Sequence, residues 1–157
     1  MRVGIGYDVH PLVAGRPLIL GGVTVTFGRG LQGHSDADVL THAIIDALLG
    51  AIALRDIGTH FPDADPHYKD ISSITLLNRV SEMLGDRGFK IENIDATILC
   101  EQPYLADYID GMRQNICTAV AIGIEQVSIK ATTSAGLGFL GEGRGIATHA
   151  VALVERK

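Results

Sequence analysis

At 157 residues the chain has room for the core of one ordinary domain and not for two, so a single domain over residues 1–157 is expected. Hydrophobic residues make up 46% and charged residues 20%, with no low-complexity tract, which excludes a disordered chain. A formal net charge of −5 without any Lys/Arg cluster argues against a nucleic-acid partner; an anionic substrate would have to be met by metal ions, helix N-termini and backbone N–H groups.

The only cysteines, Cys100 and Cys117, are too few for a disulfide scaffold and lack zinc-knuckle spacing, so buried, reduced, inert thiols are expected. Residues 1–4 contain no long apolar region, and the apolar stretch 43–54 is interrupted by Asp46 and too short for a bilayer. The expectation is no membrane partner and a cytoplasmic protein, or a plastid stromal one where a transit peptide has been removed.

In chain order, residues 3–10 alternate as a strand, with Val3, Ile5, Tyr7 and Val9 on one face and Gly4, Gly6, Asp8 and His10 on the other. Residues 18–20 and 23–27 flank Gly21-Gly22 as a hairpin or bent strand pair. From Ser35 or Asp36, both good N-caps, a helix is predicted to run to about Leu54, placing Asp38, His42 and Asp46 along one face at i, i+4 and i+8. Pro62 and Pro66 make the following stretch a loop able to cover a site. A second helix is predicted over 72–84, a strand over 94–100, a helix over 104–121, and strands over 127–132 and 146–154, the last two separated by the glycine-rich run 136–145. This mixture gives an α+β fold, with helices packed on one face of a mixed β-sheet.

The sharpest chemical signal is Asp8-Val9-His10 on a strand together with His42 on a helix. Two imidazoles and a carboxylate suit zinc when a fourth position stays open, which means catalysis or ligand capture rather than a structural staple. Taken alone, an Asp-x-His pair is more often a polar strand edge, and His42 adds weight only if its helix packs against that strand. His34-Ser35, just before the predicted helix, would offer a phosphate an imidazole, a hydroxyl and the positive helix end; the bland reading is a capping serine beside a surface histidine. Asp38 and Asp46 would orient His42 or stabilise its charge, although a solvated acidic face is the commoner meaning of such spacing. Thr132, Thr133 and Ser134 place three consecutive hydroxyls at a strand end, a diphosphate cradle unless they reflect strand propensity alone. The glycine run matches neither a dinucleotide nor a Walker fingerprint and reads as turns.

Taken together, Gly6-Tyr7-Asp8-Val9-His10, Gly33-His34-Ser35-Asp36-Ala37-Asp38, Asp46-Ala47-Leu48-Leu49-Gly50, Asp56-Ile57-Gly58, Phe61-Pro62-Asp63, Lys130-Ala131-Thr132-Thr133 and Leu137-Gly138-Phe139 resemble, in order and spacing, the 2-C-methyl-D-erythritol 2,4-cyclodiphosphate synthase family. The resemblance runs from end to end. It implies a phosphorus–oxygen lyase of the non-mevalonate isoprenoid pathway: a homotrimer with sites between subunits that converts 4-diphosphocytidyl-2-C-methyl-D-erythritol 2-phosphate to the cyclic diphosphate and CMP. By that resemblance Asp8, His10 and His42 hold zinc, and His34 and Thr133 act on the transition state. Asp8, Val9, His10, His34, Ser35, Ser134 and Phe139 meet substrate; Asp56, Ile57, Gly58, Phe61, Pro62, Asp63, Ala64 and Asp65 enclose its methylerythritol part; residues 100–106 with Thr132 and Thr133 line the cytidine diphosphate pocket. A second divalent metal, magnesium or manganese, sits between the phosphates. Ala135 stands where the family usually has a Glu ligand for that metal, Tyr104 replaces a usual lysine, and Glu142 and Arg144 exchange the usual charge order.

Two other readings compete. A metal phosphatase of the His-Asp type needs an adjacent His-Asp pair, which this sequence lacks. A non-catalytic trimeric nucleotide-binding protein would use the same packing without turnover.

Overall fold

The alternation at residues 3–10 becomes a twelve-residue strand, β1 (Arg2–Val13), that runs on through Pro11. The structure is a computed structural model and describes residues 1–157. After β1 come the hairpin β2 (Leu18–Leu20) and β3 (Val23–Val25), the short β4 (Gly30–Leu31), and helix α1 (Val39–Ala51). A four-residue helix, α2 (Ile57–His60), and a 3-10 turn (Pro66–Tyr68) lead into α3 (Ser73–Asp86). The chain then forms β5 (Phe89–Leu99), α4 (Ile109–Val120), β6 (Val127–Thr132), α5 (Gly138–Gly141) and β7 (Gly145–Arg156). The main sheet has the order β4-β1-β7-β5-β6. Its pairs are antiparallel except β5 with β6, so the expected mixed sheet and α+β class are observed.

The two faces of β1 invert the usual rule. Gly4 and Gly6 are the buried side, lying so close to the backbone of α1 that a Cβ at either would overlap the carbonyl oxygen of Ala47 or Ala43. Asp8 and His10 continue that face and therefore meet the helix. The large residues face outward: Val3 is 68% and Ile5 72% exposed, joined by Tyr7, Val9 and Val151. One core lies between sheet and helices, filled on the helix side by residues such as Leu40, Ile44, Leu48, Leu77 and Met112.

Several boundaries differ from the sequence expectation. The first helix begins at Val39 rather than at 35–36 because Ala37 holds a left-handed φ of 57° and Asp38 is the cap, its carboxylate accepting from Thr41 N. It stops at Ala51 rather than Leu54. The stretch from 104 is not helical until a 3-10 turn at Ala106–Tyr108, and α4 proper starts at Ile109. β5 starts at Phe89 rather than Ile94, carrying a bulge between Ile91 and Asn93. The glycine run, expected to be turns, contains the short α5.

Candidate functional site

Asp8, His10 and His42 offer ligand atoms that all lie within 4.8 Å of one another. Strand alternation puts Asp8 and His10 side by side facing α1, and the close approach that Gly4 and Gly6 permit brings His42 down onto them. Asp8 Oδ2 is 2.9 Å from His10 Nε2 and 3.1 Å from His42 Nδ1, and the two imidazole nitrogens are 3.4 Å apart. Both rings are also held from behind. His10 Nδ1 donates to the Gln32 carbonyl at 2.7 Å. His42 Nε2 meets Ser73 Oγ at 2.7 Å and Ser35 Oγ at 3.2 Å.

Burial works against the Asp8 charge, yet the hydrogen bonds from His10 and then His42 outweigh it and hold the carboxyl down at about 2. Burial likewise disfavours charged His10, but the hydrogen bond to Asp8 wins and raises its pKa above the ordinary histidine value. The cluster therefore sets one carboxylate between two imidazole nitrogens, an arrangement a divalent cation would exploit by displacing protons. One carboxylate and two imidazoles at this separation fit a zinc-type ion with an open fourth position.

The triad itself lines a cleft of about 200 Å³, together with the polar His34, Ser35 and Asp63, the apolar Ile57, Phe61, Tyr68, Ile71 and Leu76, and Gly33 and Gly58. Phe61 and Tyr68 pack edge to face, 5.5 Å between ring centroids, and stiffen that lining. Asp56 and Asp65 cap their own segments, accepting from Thr59 N and His67 N rather than facing the cleft. Pro62 and Ala64 are also outside its lining. Val9 points to the outer face of the sheet and borders a separate depression with Phe139, Arg29 and Arg144.

A second hollow, about 260 Å³, is lined by residues 100–106 together with Ile109, Ala131, Thr132 and Thr133. Ser134 N donates to Glu101, which ties the end of β6 to this hollow. Paired positions Asp8, Thr148, Ile98 and Ala131 form one row across four strands. Three strand spacings put Asp8 and Ala131 about 14 Å apart. One chain therefore does not bring Thr133 to its own metal triad.

Two expectations about the acidic face of α1 are corrected. Asp38 does not orient His42; it is fully buried and accepts from Gly21 N, Gly22 N and Thr41, which joins the β2–β3 hairpin to α1. Asp46 makes no hydrogen bond to His42 either; it accepts from Ile57 N at 2.7 Å and so anchors the cleft wall, keeping only an electrostatic attraction to the imidazole. Since α1 starts at Val39 and Asp38 is its cap, His34 and Ser35 reach the cleft from the loop rather than from the helix end. Sequence reasoning missed Ser73, whose hydroxyl touches His42 from a helix 31 residues further on; no local pattern announces it. Cys100 is buried with its thiol pushed up to about 11, chiefly by desolvation, and Cys117 is also buried and raised, which fits inert thiols. No helix is long and apolar enough to cross a membrane.

The fold and the triad thus define an α+β domain with three residues placed to hold a divalent metal ion at a sheet–helix junction. The YgbB family model matches residues 1–155, and the chain belongs to that family. It is 59% identical over 154 residues to the 2-C-methyl-D-erythritol 2,4-cyclodiphosphate synthase of Alkaliphilus metalliredigens, covering 98% of this chain and 97% of the relative. It is 58% identical over 156 residues to the synthase of Syntrophomonas wolfei, covering 99% of each. Among solved structures, the bifunctional IspDF of Campylobacter jejuni superposes with a TM-score of 0.96 at 36% identity, over 99% of this chain; the chain spans 42% of that protein's length. The Plasmodium falciparum IspF in complex with CDP superposes with a TM-score of 0.88 at 31% identity, covering 99% of this chain and 96% of that one.

Proposed function

We propose that the protein is a cyclodiphosphate synthase of the non-mevalonate isoprenoid pathway, a phosphorus–oxygen lyase converting 4-diphosphocytidyl-2-C-methyl-D-erythritol 2-phosphate to 2-C-methyl-D-erythritol 2,4-cyclodiphosphate with release of CMP. The observation that carries this reading is 59% identity, over nearly all of both chains, to a relative of that name. In the reaction an oxygen of the substrate's 2-phosphate forms a bond to the β-phosphorus, the bond from that phosphorus to the α-phosphate oxygen breaks, and CMP leaves with the electron pair. Zinc held by Asp8, His10 and His42 would supply Lewis-acid polarisation of a phosphate oxygen.

The remaining work belongs to the chain. His34 and Ser35 hold a phosphate in the cleft, and its lining at Ile57, Gly58 and Phe61 encloses the methylerythritol carbons. The hollow at residues 100–106 and Thr132–Thr133 takes the cytidine diphosphate. Bending the substrate so that both phosphates meet supplies proximity, on the order of 7–11 kcal/mol at best. Thr133 donates to oxygens on which charge develops. Thr133→Ala is accordingly expected to lower turnover on the order of a hundredfold with metal content unchanged. Equal loss of zinc and turnover would assign Thr133 elsewhere.

Separation of the triad from Thr133 across the sheet supports a site shared between copies, as does the outward apolar face of β1. We read the assembly as a homotrimer whose subunits meet through Val3, Ile5, Tyr7 and Val9. Light scattering should then give three times the 16.7 kDa chain mass, and Ile5→Glu, which would bury a charge in the contact, should give monomers without activity. An active monomer would contradict this arrangement.

A second divalent cation, magnesium or manganese, would be held largely by the substrate's phosphate oxygens, because the Ala135 side chain offers no ligand atom. Ala135→Glu is expected to lower the magnesium concentration needed for half-maximal rate at fixed zinc. Superimposable magnesium curves for the two proteins would remove position 135 from this role. Nucleotide chromatography with a phosphate assay separates this reading from a phosphatase and from a binding protein: CMP is expected without inorganic phosphate, whereas a phosphatase liberates phosphate and a binding protein liberates nothing.

A further inference from the structure

His42 has two ring nitrogens, and only one can present a lone pair to a metal. Its Nδ1 faces Asp8 and His10, while its Nε2 lies 2.7 Å from Ser73 Oγ. Ser73 is fully buried at the first turn of α3, and its hydroxyl is 2.5 Å from Asp36 Oδ1. The same Asp36 carboxylate accepts from Ser73 N and from Asp38 N. A carboxylate surrounded by donors can only accept, so the single hydroxyl proton of Ser73 points to Asp36. The Ser73 oxygen is then left with lone pairs toward His42, and His42 Nε2 must be the donor.

We propose that Asp36 and Ser73 form a relay that fixes His42 as the Nε2–H tautomer and thereby aims its Nδ1 lone pair at the metal position, with Ser73 a positioning residue for that ligand. The proposal rests on the metal-site reading above. It parallels the other histidine, whose Nδ1–H donates to the Gln32 carbonyl and leaves Nε2 for the metal. It also divides labour between the two serines. Ser35 Oγ lies farther from His42 Nε2, at 3.2 Å, and accepts from Ala37 N. With the His42 proton taken by Ser73, the Ser35 hydroxyl keeps its own proton for a ligand in the cleft. The relay also joins three separate segments, the loop at 36, α1 at 42 and α3 at 73, so the orientation of the ligand depends on how α3 docks. The early helix start expected from the sequence would have used Asp36 as a cap; its carboxylate is instead committed to α3.

The test combines chelator competition for zinc with histidine-detected nitrogen-15 NMR of the zinc-loaded protein. In the unmutated chain His42 is expected to be metallated through Nδ1 and to carry a slowly exchanging proton on Nε2. Ser73→Ala should weaken zinc binding about 10- to 100-fold and make that proton exchange quickly with solvent, while the melting temperature of the metal-free protein stays close to that of the unmutated one. Metallation through Nε2, or a Ser73→Ala variant with unchanged zinc affinity and an unchanged Nε2 proton, would overturn the relay while leaving the metal site standing. Failure of the unmutated chain to take up zinc would overturn the metal reading and the relay together. The NMR assignment on the unmutated chain decides the matter even if Ser73→Ala does not fold.

Discussion

His42→Ala is expected to lose zinc and activity together while keeping its fold. His42 would supply one of only three protein ligands, and Asp8 with His10 would leave too few donors for a site that must keep one position open. Loss of an outer partner of a metal ligand typically weakens binding about 10- to 100-fold, so loss of the ligand itself should exceed the upper end of that range. The substitution shortens a side chain that is only partly buried and lies at the edge of the cleft rather than among the core residues of α1. Circular dichroism should therefore match the unmutated protein while metal analysis finds no stoichiometric zinc. A folded His42→Ala protein that retained one zinc per chain would refute the assignment of the triad.

The second large effect comes from a residue with no side chain. Gly6→Ala places a methyl group against the Ala43 carbonyl, where the only escape is to lift α1 off the sheet. Overpacking against backbone, which cannot rotate away as a side chain can, should cost about 3 kcal/mol or more. Because His42 adjoins Ala43, the same displacement would draw the imidazole from Asp8 and His10. The expected outcome is a lower urea midpoint together with loss of zinc from whatever protein remains folded. A Gly6→Ala chain with unchanged midpoint and unchanged zinc content would show that the helix–strand approach is not what builds the site.

These two residues also show what the sequence made legible. Period-2 alternation was enough to put Asp8 and His10 on one side of a strand, and helical spacing enough to place His42 on the following helix. Which face of β1 was the inner one was not legible from hydrophobicity, because the apolar face turns outward and the glycine face packs on α1. The start of α1 was misread for a related reason. Asp36 has every local property of a cap, but its carboxylate bonds to Ser73, and Ala37 takes a left-handed backbone that no helix admits. The orienting partners of His42 were sought at Asp38 and Asp46, its neighbours on the helix, whereas they arrive from α3 by long-range packing. Separation of Thr133 from the triad depends on strand order, which local pattern does not encode.

Ring closure is the central claim, and phosphorus NMR of the reaction run in oxygen-18 water tests it most directly. A hydrolase cutting the same bond would also release CMP, so the nucleotide alone does not separate the two reactions. Closure by the substrate's own phosphate predicts CMP together with a product whose two phosphorus signals are coupled to each other, and no isotope shift on either, because no solvent oxygen enters. A linear bisphosphate with uncoupled signals, one of them shifted by solvent oxygen-18, would contradict the account.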